Sequence, residues 1–419
     1  MSQRVRFVHA ADLHLDAPFA GVSADDRRIG SALADATYAA FERVIDTCIE
    51  REVHFLVIAG DAYNSAHTSL KAQLRFKVGM QRLAVAGIEA FIVHGNHDPA
   101  SGYSAKLEMP ETVHVFPTGK VTRFEVKRDD GVLAAVYGRS FAKSAELDNF
   151  AAGYVRGADD PFAVGVLHAN VGGNADYDPY APASLEELRS ARMDYWALGH
   201  IHKQEFLSQD PWIVYPGSPQ GLNPKETGPH GCLVVEVSAG GAVTVEHVET
   251  ASVAWVQIDC DGSVAQNVDQ LSALLRETCD QLREAASVPV IARITLSGRT
   301  EAHADLARSG ALAALVDDVR CEQAAREPWL WLDRVRDHTS AAIDIEAVRA
   351  GGNFASELVR IADEFGADPV RLAALVDEIA APLGVTLQGY SPGIAPDEAL
   401  WAARDAALDL LLAKGGERV

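Results

Sequence analysis

Over the first 250 residues, short apolar runs alternate with longer segments in which apolar residues recur every three or four positions. The runs at 5–9, 54–59, 90–94, 113–116, 133–138, 163–168 and 195–198 predict strands. Several are too uniformly apolar to leave one face in water. The segments 35–51 and 69–86 carry helical spacing instead. Strand and helix in alternation predict an α/β domain built in layers. Further runs at 212–215, 232–237 and 243–247 add strands, the last two joined as a hairpin by Ser238-Ala239-Gly240-Gly241.

The rhythm changes near residue 253. A strand at 253–259, a helix at 264–286, a strand at 290–296, a helix at 301–316 and a strand at 329–335 predict a small α+β module. Beyond Ser340 the pattern is helical over 353–364, 370–379 and 397–413, with breaks at Gly351-Gly352, Pro382 and Pro392. The expected organisation is a layered domain over 1–250, an α+β module over 251–340 and a helical segment over 341–419. A length of 419 residues exceeds what one hydrophobic core usually serves, which agrees with such a division.

Composition narrows the setting. No run approaches the eighteen or so apolar residues of a membrane span, and the N-terminus lacks the basic-then-apolar layout of a leader, so a cytoplasmic location is expected. The five cysteines are scattered and form no C-x-x-C pair, as in a reducing compartment. Net charge is −22, from 37 basic and 59 acidic residues. Residues 1–250 hold 22 basic against 32 acidic, and the remainder 15 against 27. Both parts are acidic, which argues against a large basic footprint for gripping nucleic acid unaided.

Candidate chemistry gathers where predicted strands end. The first strand runs into Asp12-Leu13-His14, the second into Gly60-Asp61 and the third into Gly95-Asn96-His97-Asp98. Two later strands end at His168-Ala169-Asn170 and Gly199-His200-Ile201-His202. In open α/β sheets, ligands bind beyond the carboxyl ends of strands. Carboxylate, amide and imidazole without thiolate suit divalent ions such as Mn2+, Fe2+ or Zn2+. The alternate spacing of Asp12 with His14, and of His200 with His202, puts each pair on one side of an extended backbone. One carboxylate such as Asp61 can bridge two ions, and ions about 3.5–4 Å apart can clamp a phosphoryl group. Each motif alone is commonplace: a Gly-Asp pair is usually a turn, and a lone buried histidine usually a core residue. Five in order, each directly after an apolar strand, are not.

At these residues the chain resembles the calcineurin-like metallophosphoesterases, whose motif series D-x-H, G-D, G-N-H-[DE], H and G-H-x-H is complete over roughly 7–202. Ala10-Ala11-Asp12-Leu13-His14-Leu15-Asp16 looks like the DNA-repair nuclease branch of Mre11, SbcD and YhaO-like proteins. Pro216-Gly217-Ser218-Pro219-Gln220-Gly221, followed by Glu226-Thr227-Gly228 and Gly231-Cys232, is similar to the segment closing the YhaO-like phosphoesterase domain. The resemblance implies a sandwich of two β-sheets flanked by helices, with the α+β module as a small capping domain. It also implies two divalent ions, Mn2+ foremost. Asp12, His14, Asp61 and His202 would hold one, and Asp61, Asn96, His168 and His200 the other. His97 would protonate the leaving 3′ oxygen and Asp98 would orient its ring, although a carboxylate before Pro99 also reads as a turn cap.

The function implied is a metal-dependent DNA exonuclease that hydrolyses phosphodiester bonds with a metal-activated water. An ATPase of the SbcC/Rad50/YhaN type would supply the grip on DNA and dock on the helical tail, and a homodimer is compatible. Two other readings keep the fold: an esterase for cyclic nucleotides, nucleotides or phosphoproteins, and a non-catalytic scaffold, which an incomplete ligand set would mark. Where some nuclease relatives place His or Asp after the G-D motif, this chain has Tyr63-Asn64. His67 reads as a helix start or a phosphate contact, and Arg139 as a phosphate contact or the partner of an acidic neighbour.

Overall fold

The computed structural model describes residues 4–22, 26–64, 69–102, 107–128, 131–380 and 395–412. His67 lies outside these residues. The chain divides into two compact units, Met1–Gln257 with Arg283–Ile291 and Arg326–Asp333, and Ile258–Leu282 with Ala292–Ala325 and Arg334–Val419.

The first unit contains, in chain order, β1 (Val5–Ala10), α1 (Arg27–Glu50), β2 (Phe55–Ala59), α2 (Leu70–Val85), β3 (Glu89–Val93), β4 (Val113–Val115), β5 (Thr122–Arg128) and β6 (Gly131–Gly138). It continues with β7 (Ala163–His168), α3 (Leu185–Ser190), β8 (Tyr195–Gly199), β9 (Glu205–Gln209), β10 (Trp212–Tyr215), β11 (Gly231–Val237) and β12 (Val243–Glu249). One sheet has the order β12-β11-β1-β2-β3-β4 and the other β5-β6-β7-β8-β10-β9. β1 to β4 are parallel, as are β6, β7, β8 and β10, while the hairpin strands at the margins pair antiparallel.

Alternation along the strands builds three packed layers. Val5 and Phe7 of β1, with Phe55 and Val57 of β2, point into the core between the sheets, where they meet Val164, Val166, Tyr195 and Ala197. Val8, Ala10, Leu56 and Ile58 point the other way, onto Phe41, Val44 and Ile45 of α1 and Phe76 and Met80 of α2. The second sheet buries Leu167, Trp196 and Leu198 under Leu188 of α3 and the surrounding loops. The central strands are thus covered on both faces, which is why their runs are continuously apolar. The expected layered sandwich of two sheets flanked by helices is the observed fold.

β5, β9 and α3 carried no clear apolar signal. β5 is a sheet margin whose one face is charged, a common treatment of an edge. α1 begins eight residues before the expected 35, because the Asp26 carboxylate caps the backbone of Arg28 and Ile29.

β13 (Ala254–Asp261), α4 (Val268–Ala285), β14 (Val290–Thr300), α5 (His303–Leu306), α6 (Ala311–Ala324) and β15 (Leu330–Ala341) follow, with a three-stranded sheet ordered β13-β14-β15. The single helix expected over 301–316 is two, broken where Gly310 takes a φ of 81°. The second unit ends in α7 (Ile345–Ala350), α8 (Phe354–Gly366), α9 (Pro369–Ala380) and α10 (Pro396–Leu412). Leu408 of α10 is buried against Ala355 and Val359 of α8. Among the described residues, no helix is long and apolar enough to cross a membrane. Cys48, Cys232, Cys260 and Cys279 are buried, and Cys321 is exposed.

Phe7 tests the inter-sheet core. It is fully buried, with its ring 4.8 Å from that of Phe55 and 5.2 Å from that of Tyr195. Phe7→Ala is expected to destabilise the protein by about 3–5 kcal/mol, read as a lower midpoint in chemical denaturation.

Candidate metal centre

β1, β2 and β3 are neighbouring parallel strands of one sheet, and β7 and β8 are neighbours in the other. The segments leaving their carboxyl ends converge. Backbone hydrogen bonds lay the loop after β1 along the loop after β2: Asp12 N donates to Gly60 O (3.1 Å), His14 N to Asp61 O (3.0 Å) and Leu15 N to Ala62 O (3.1 Å). Asp12, His14, Asp61 and His200 have φ values of 53°, 42°, 50° and 100°, a left-handed region that costs a non-glycine residue about 1–3 kcal/mol. Small residues make the convergence feasible. A Cβ on Gly60 would lie 2.2 Å from His168 Nδ1, and one on Gly95 would lie 2.2 Å from Asp61 Oδ1.

The seven expected ligands come together. Donor atoms of Asp12, His14 and His202 lie within 4.8 Å of one another, as do those of Asp12, Asp61 and His168, and those of His14, Asp61 and His97. His168 Nε2 stands 2.8 Å from Asn96 Oδ1 and 3.4 Å from Asp61 Oδ2. His202 Nε2 stands 3.0 Å from His14 Nε2, which is 3.9 Å from Asp61 Oδ2. The His200 ring lies 5.2 Å from that of His168, and its backbone N donates to both oxygens of Asp12 at 3.1 Å.

Hydrogen bonds outside the cluster decide which imidazole nitrogens carry protons. His168 Nδ1 donates to Ala59 O (2.9 Å), His200 Nε2 to Asp178 O (2.9 Å) and His202 Nδ1 to the Glu226 carboxylate (2.8 Å). In the neutral rings, His168 Nε2, His200 Nδ1 and His202 Nε2 are therefore acceptors. His168 Nε2 and Asn96 Oδ1, both acceptors, face each other at 2.8 Å. A cation between such groups turns a repulsive contact into a favourable one.

Charge argues the same way. Asp12, Asp61 and Asp98 are all buried, and among the described residues their ion pairs are with imidazoles, none with lysine or arginine. Burial, with the neighbouring Asp61 charge, holds the Asp12 carboxyl well above its ordinary range. Burial and the Asp98 charge push Asp61 up to about 7. Burial, and then neighbouring imidazoles, keep His14 well below its ordinary value. Burial brings His168 and His200 down to about 4. His202 goes the other way: burial opposes its charge, but the Glu226 hydrogen bond and the Asp12 carboxylate outweigh it and raise the ring to about 9. Oxygen and nitrogen acceptors around uncompensated buried carboxylates are a donor set that fits divalent cations.

His97 is exposed, with its ring 4.8 Å from that of His14 and its backbone N donating to Asp61 Oδ1 (2.9 Å). Its Nδ1 donates to Asn64 O (2.9 Å). The expected contact from Asp98 to this ring is not the one observed. Asp98 accepts from Gly95 N (2.8 Å) and Ala62 N (2.9 Å), so it caps the turn, and a backbone carbonyl from the Tyr63-Asn64 pair orients His97 instead. Among the described residues, Arg139 meets neither an acidic neighbour nor the cluster. Its guanidinium lies 3.8 Å over the Phe150 ring, and Nε donates to Thr118 O (2.9 Å).

Three contributors carried no sequence signal as site residues. The carbonyls of Ala59 and Asp178 have none to give, because any residue supplies a carbonyl. Glu226 lies 24 residues beyond His202 in a Pro- and Gly-rich stretch, where a carboxylate gives no hint of its partner.

Two outcomes are expected. Binding a cation requires Asp61 and His202 to lose their protons, so Mn2+ affinity should rise with pH across the interval from about 7 to about 9, with proton release. Calorimetric titration in buffers of different ionisation enthalpy measures both, and an affinity independent of pH would contradict this electrostatic picture. Gly95→Ala should displace the Asp61 carboxylate and lower Mn2+ affinity by at least about tenfold, measured by equilibrium dialysis.

The comparisons with known proteins agree with this geometry. Residues 5–204 match the calcineurin-like phosphoesterase family, and residues 255–340 match the middle domain of metallophosphoesterase YhaO. The uncharacterized metallophosphoesterase YhaO of Bacillus subtilis (strain 168) is 36% identical over 334 residues, covering 80% of this chain and 81% of that protein. The DNA double-strand break repair protein Mre11 of Haloferax volcanii is 28% identical over 399 residues, covering 87% and 80%. That of Methanopyrus kandleri is 27% identical over 271 residues, covering 58% and 57%. Proteins of this kind use divalent metals, and the cluster described above is where this chain has the residues to hold them. With its sandwich fold, its acceptor cluster and these relatives, the chain belongs to the calcineurin-like metallophosphoesterase family, carries a YhaO-type middle domain, and is by that membership a phosphoester hydrolase.

Proposed function

We propose that this protein is a metal-dependent DNA nuclease working with two divalent ions, Mn2+ foremost, and that it acts as an exonuclease in DNA repair. In this reading Asp12, His14, Asp61 and His202 would hold one ion, and Asn96, His168 and His200 would hold the other, with Asp61 offering an oxygen to each. Two ions so held would draw charge from the phosphoryl oxygens and acidify a water.

The observation that carries the proposal is His97. It is an exposed imidazole beside a buried acceptor cluster, and its Nδ1 proton is held by Asn64 O. Nε2 is thereby left to meet the substrate. The sugar oxygen displaced from a DNA phosphodiester departs as an alkoxide, which needs a proton as its bond to phosphorus breaks, and an N–H at Nε2 would supply it. The backbone N–H of His97 meanwhile holds Asp61 Oδ1, so acid and bridging carboxylate keep a fixed spacing. Likeness to proteins named for DNA double-strand break repair supports DNA as the substrate.

The same reading covers the rest of the chain. Residues 251–340 would form the capping module, supported by the match over 255–340, and 341–419 the helical segment that shares the second compact unit with most of it. An acidic chain needs help to hold DNA, and an ATPase of the SbcC/Rad50/YhaN type is the proposed partner. Exposed Phe354, Val370, Ile379 and Leu410 on α8, α9 and α10 support docking there. A homodimer and a cytoplasmic location belong to the proposal as well.

The leaving group supplies the test. Purified protein with Mn2+ should cleave labelled DNA, alone or with a candidate ATPase, and should also hydrolyse bis-p-nitrophenyl phosphate. His97→Ala should slow DNA cleavage about 10²–10⁴-fold while largely sparing the nitrophenyl ester, whose leaving group needs no proton. Asp61→Asn should abolish both activities. Hydrolysis of the small ester without cleavage of any DNA, even with the ATPase, would turn the assignment toward cyclic nucleotides, nucleotides or phosphoproteins.

A further inference from the structure

Of the four candidate ligand histidines, three are held from outside the cluster, and not by the same kind of group. His168 and His200 donate to backbone carbonyls, of Ala59 and Asp178. His14 Nδ1 is buried and has no hydrogen-bond partner among the described residues. Among the described residues, only His202 of the four donates to a carboxylate, Glu226 Oε1, at 2.8 Å. Between charged partners a hydrogen bond is roughly twice as strong as between neutral ones, and a carboxylate on one ring nitrogen makes the other a better donor to a metal.

The loop that delivers Glu226 is braced for that contact. Ser218 N donates to His202 O (2.9 Å), which fastens the start of the loop to the histidine it serves. Glu226 Oε2 accepts from Leu222 N (2.6 Å), and Glu226 N donates to Asn223 O (3.0 Å), so both carboxylate oxygens are fixed. His230 Nε2 donates to Glu226 O (3.2 Å). A Cβ on Gly221 would lie 2.8 Å from that same oxygen, so the turn closes only with glycine there. The Glu226 side chain is only 13% exposed.

We propose that Glu226 is a positioning residue for one half of the metal centre, acting through His202. It holds the proton on Nδ1, aims Nε2 at the cluster and adds negative charge behind it. The ion held by Asp12, His14 and His202 therefore depends on Glu226, whereas the ion held with Asn96, His168 and His200 does not. The inference rests on the two-ion reading above and names a selective dependence within it.

Mn2+ titration of the full chain, freed of metal by chelation, tests the idea by calorimetry and electron paramagnetic resonance. Wild type should bind two ions and show an exchange-coupled pair. Glu226→Gln and Glu226→Ala should each weaken one ion about 10- to 100-fold and leave the other unchanged. At a concentration that saturates wild type, the coupled signal should give way to that of an isolated ion. The metal-free variants should melt as wild type does, and if Glu226→Ala does not fold, the near-isosteric Glu226→Gln decides. Unchanged binding of both ions, or equal weakening of both, would overturn the proposal. Asp61→Asn is the control for the centre itself. If it keeps both ions, the two-ion reading fails, and if it loses them while Glu226→Gln binds as wild type, only the role of Glu226 fails.

Discussion

Three buried carboxylates, Asp12, Asp61 and Asp98, stand close together at one edge of the sandwich with no lysine or arginine paired to them among the described residues. Like charges in a medium of low polarity cannot all stay ionised without compensation. Backbone N–H groups reach all three, two on Asp98, that of His200 on Asp12 and that of His97 on Asp61. But the imidazole nitrogens around Asp12 and Asp61 are buried so that a proton on most of them is disfavoured. The compensation this arrangement calls for is a bound cation. Most of the local structure serves to keep these acceptors together against their repulsion.

The two sheets contribute different chemistry to that point. The parallel run of β1, β2 and β3 brings the carboxylates, while β7 and β8 of the other sheet bring His168, His200 and His202. What sets the distance between the groups is the apolar core of Phe7, Phe55, Val57, Val166, Tyr195 and Ala197 between the sheets. Burial on that scale can offset four strained left-handed residues at the strand ends.

The hydrogen bonds behind the cluster give its members distinct roles. Neutral carbonyls suffice for His168 and His200, and a carboxylate backs His202. His97 stands apart as the exposed ring, turned by the carbonyl of Asn64. Donors fixed from behind need little reorganisation when a charged ligand arrives.

The sequence by itself determined the layered α/β fold, because strands covered on both faces must be continuously apolar and helices between them must carry a spaced apolar stripe. It also pointed to the residues that gather, since Asp12, Asp61, Asn96 and His200 each lie just beyond a run that had to be a central strand, and His168 ends one. The edge strands β5 and β9, the cap that lengthens α1 and the break at Gly310 were not legible, because short edge strands and local caps leave weak periodic signals. Only the tertiary structure decided that Asp98 caps a turn while Asn64 orients His97, and that Arg139 lies over Phe150. Only it joined Glu226 to His202. These contacts depend on where loops fold back and on carbonyl oxygens that every residue possesses, so no residue type announces them.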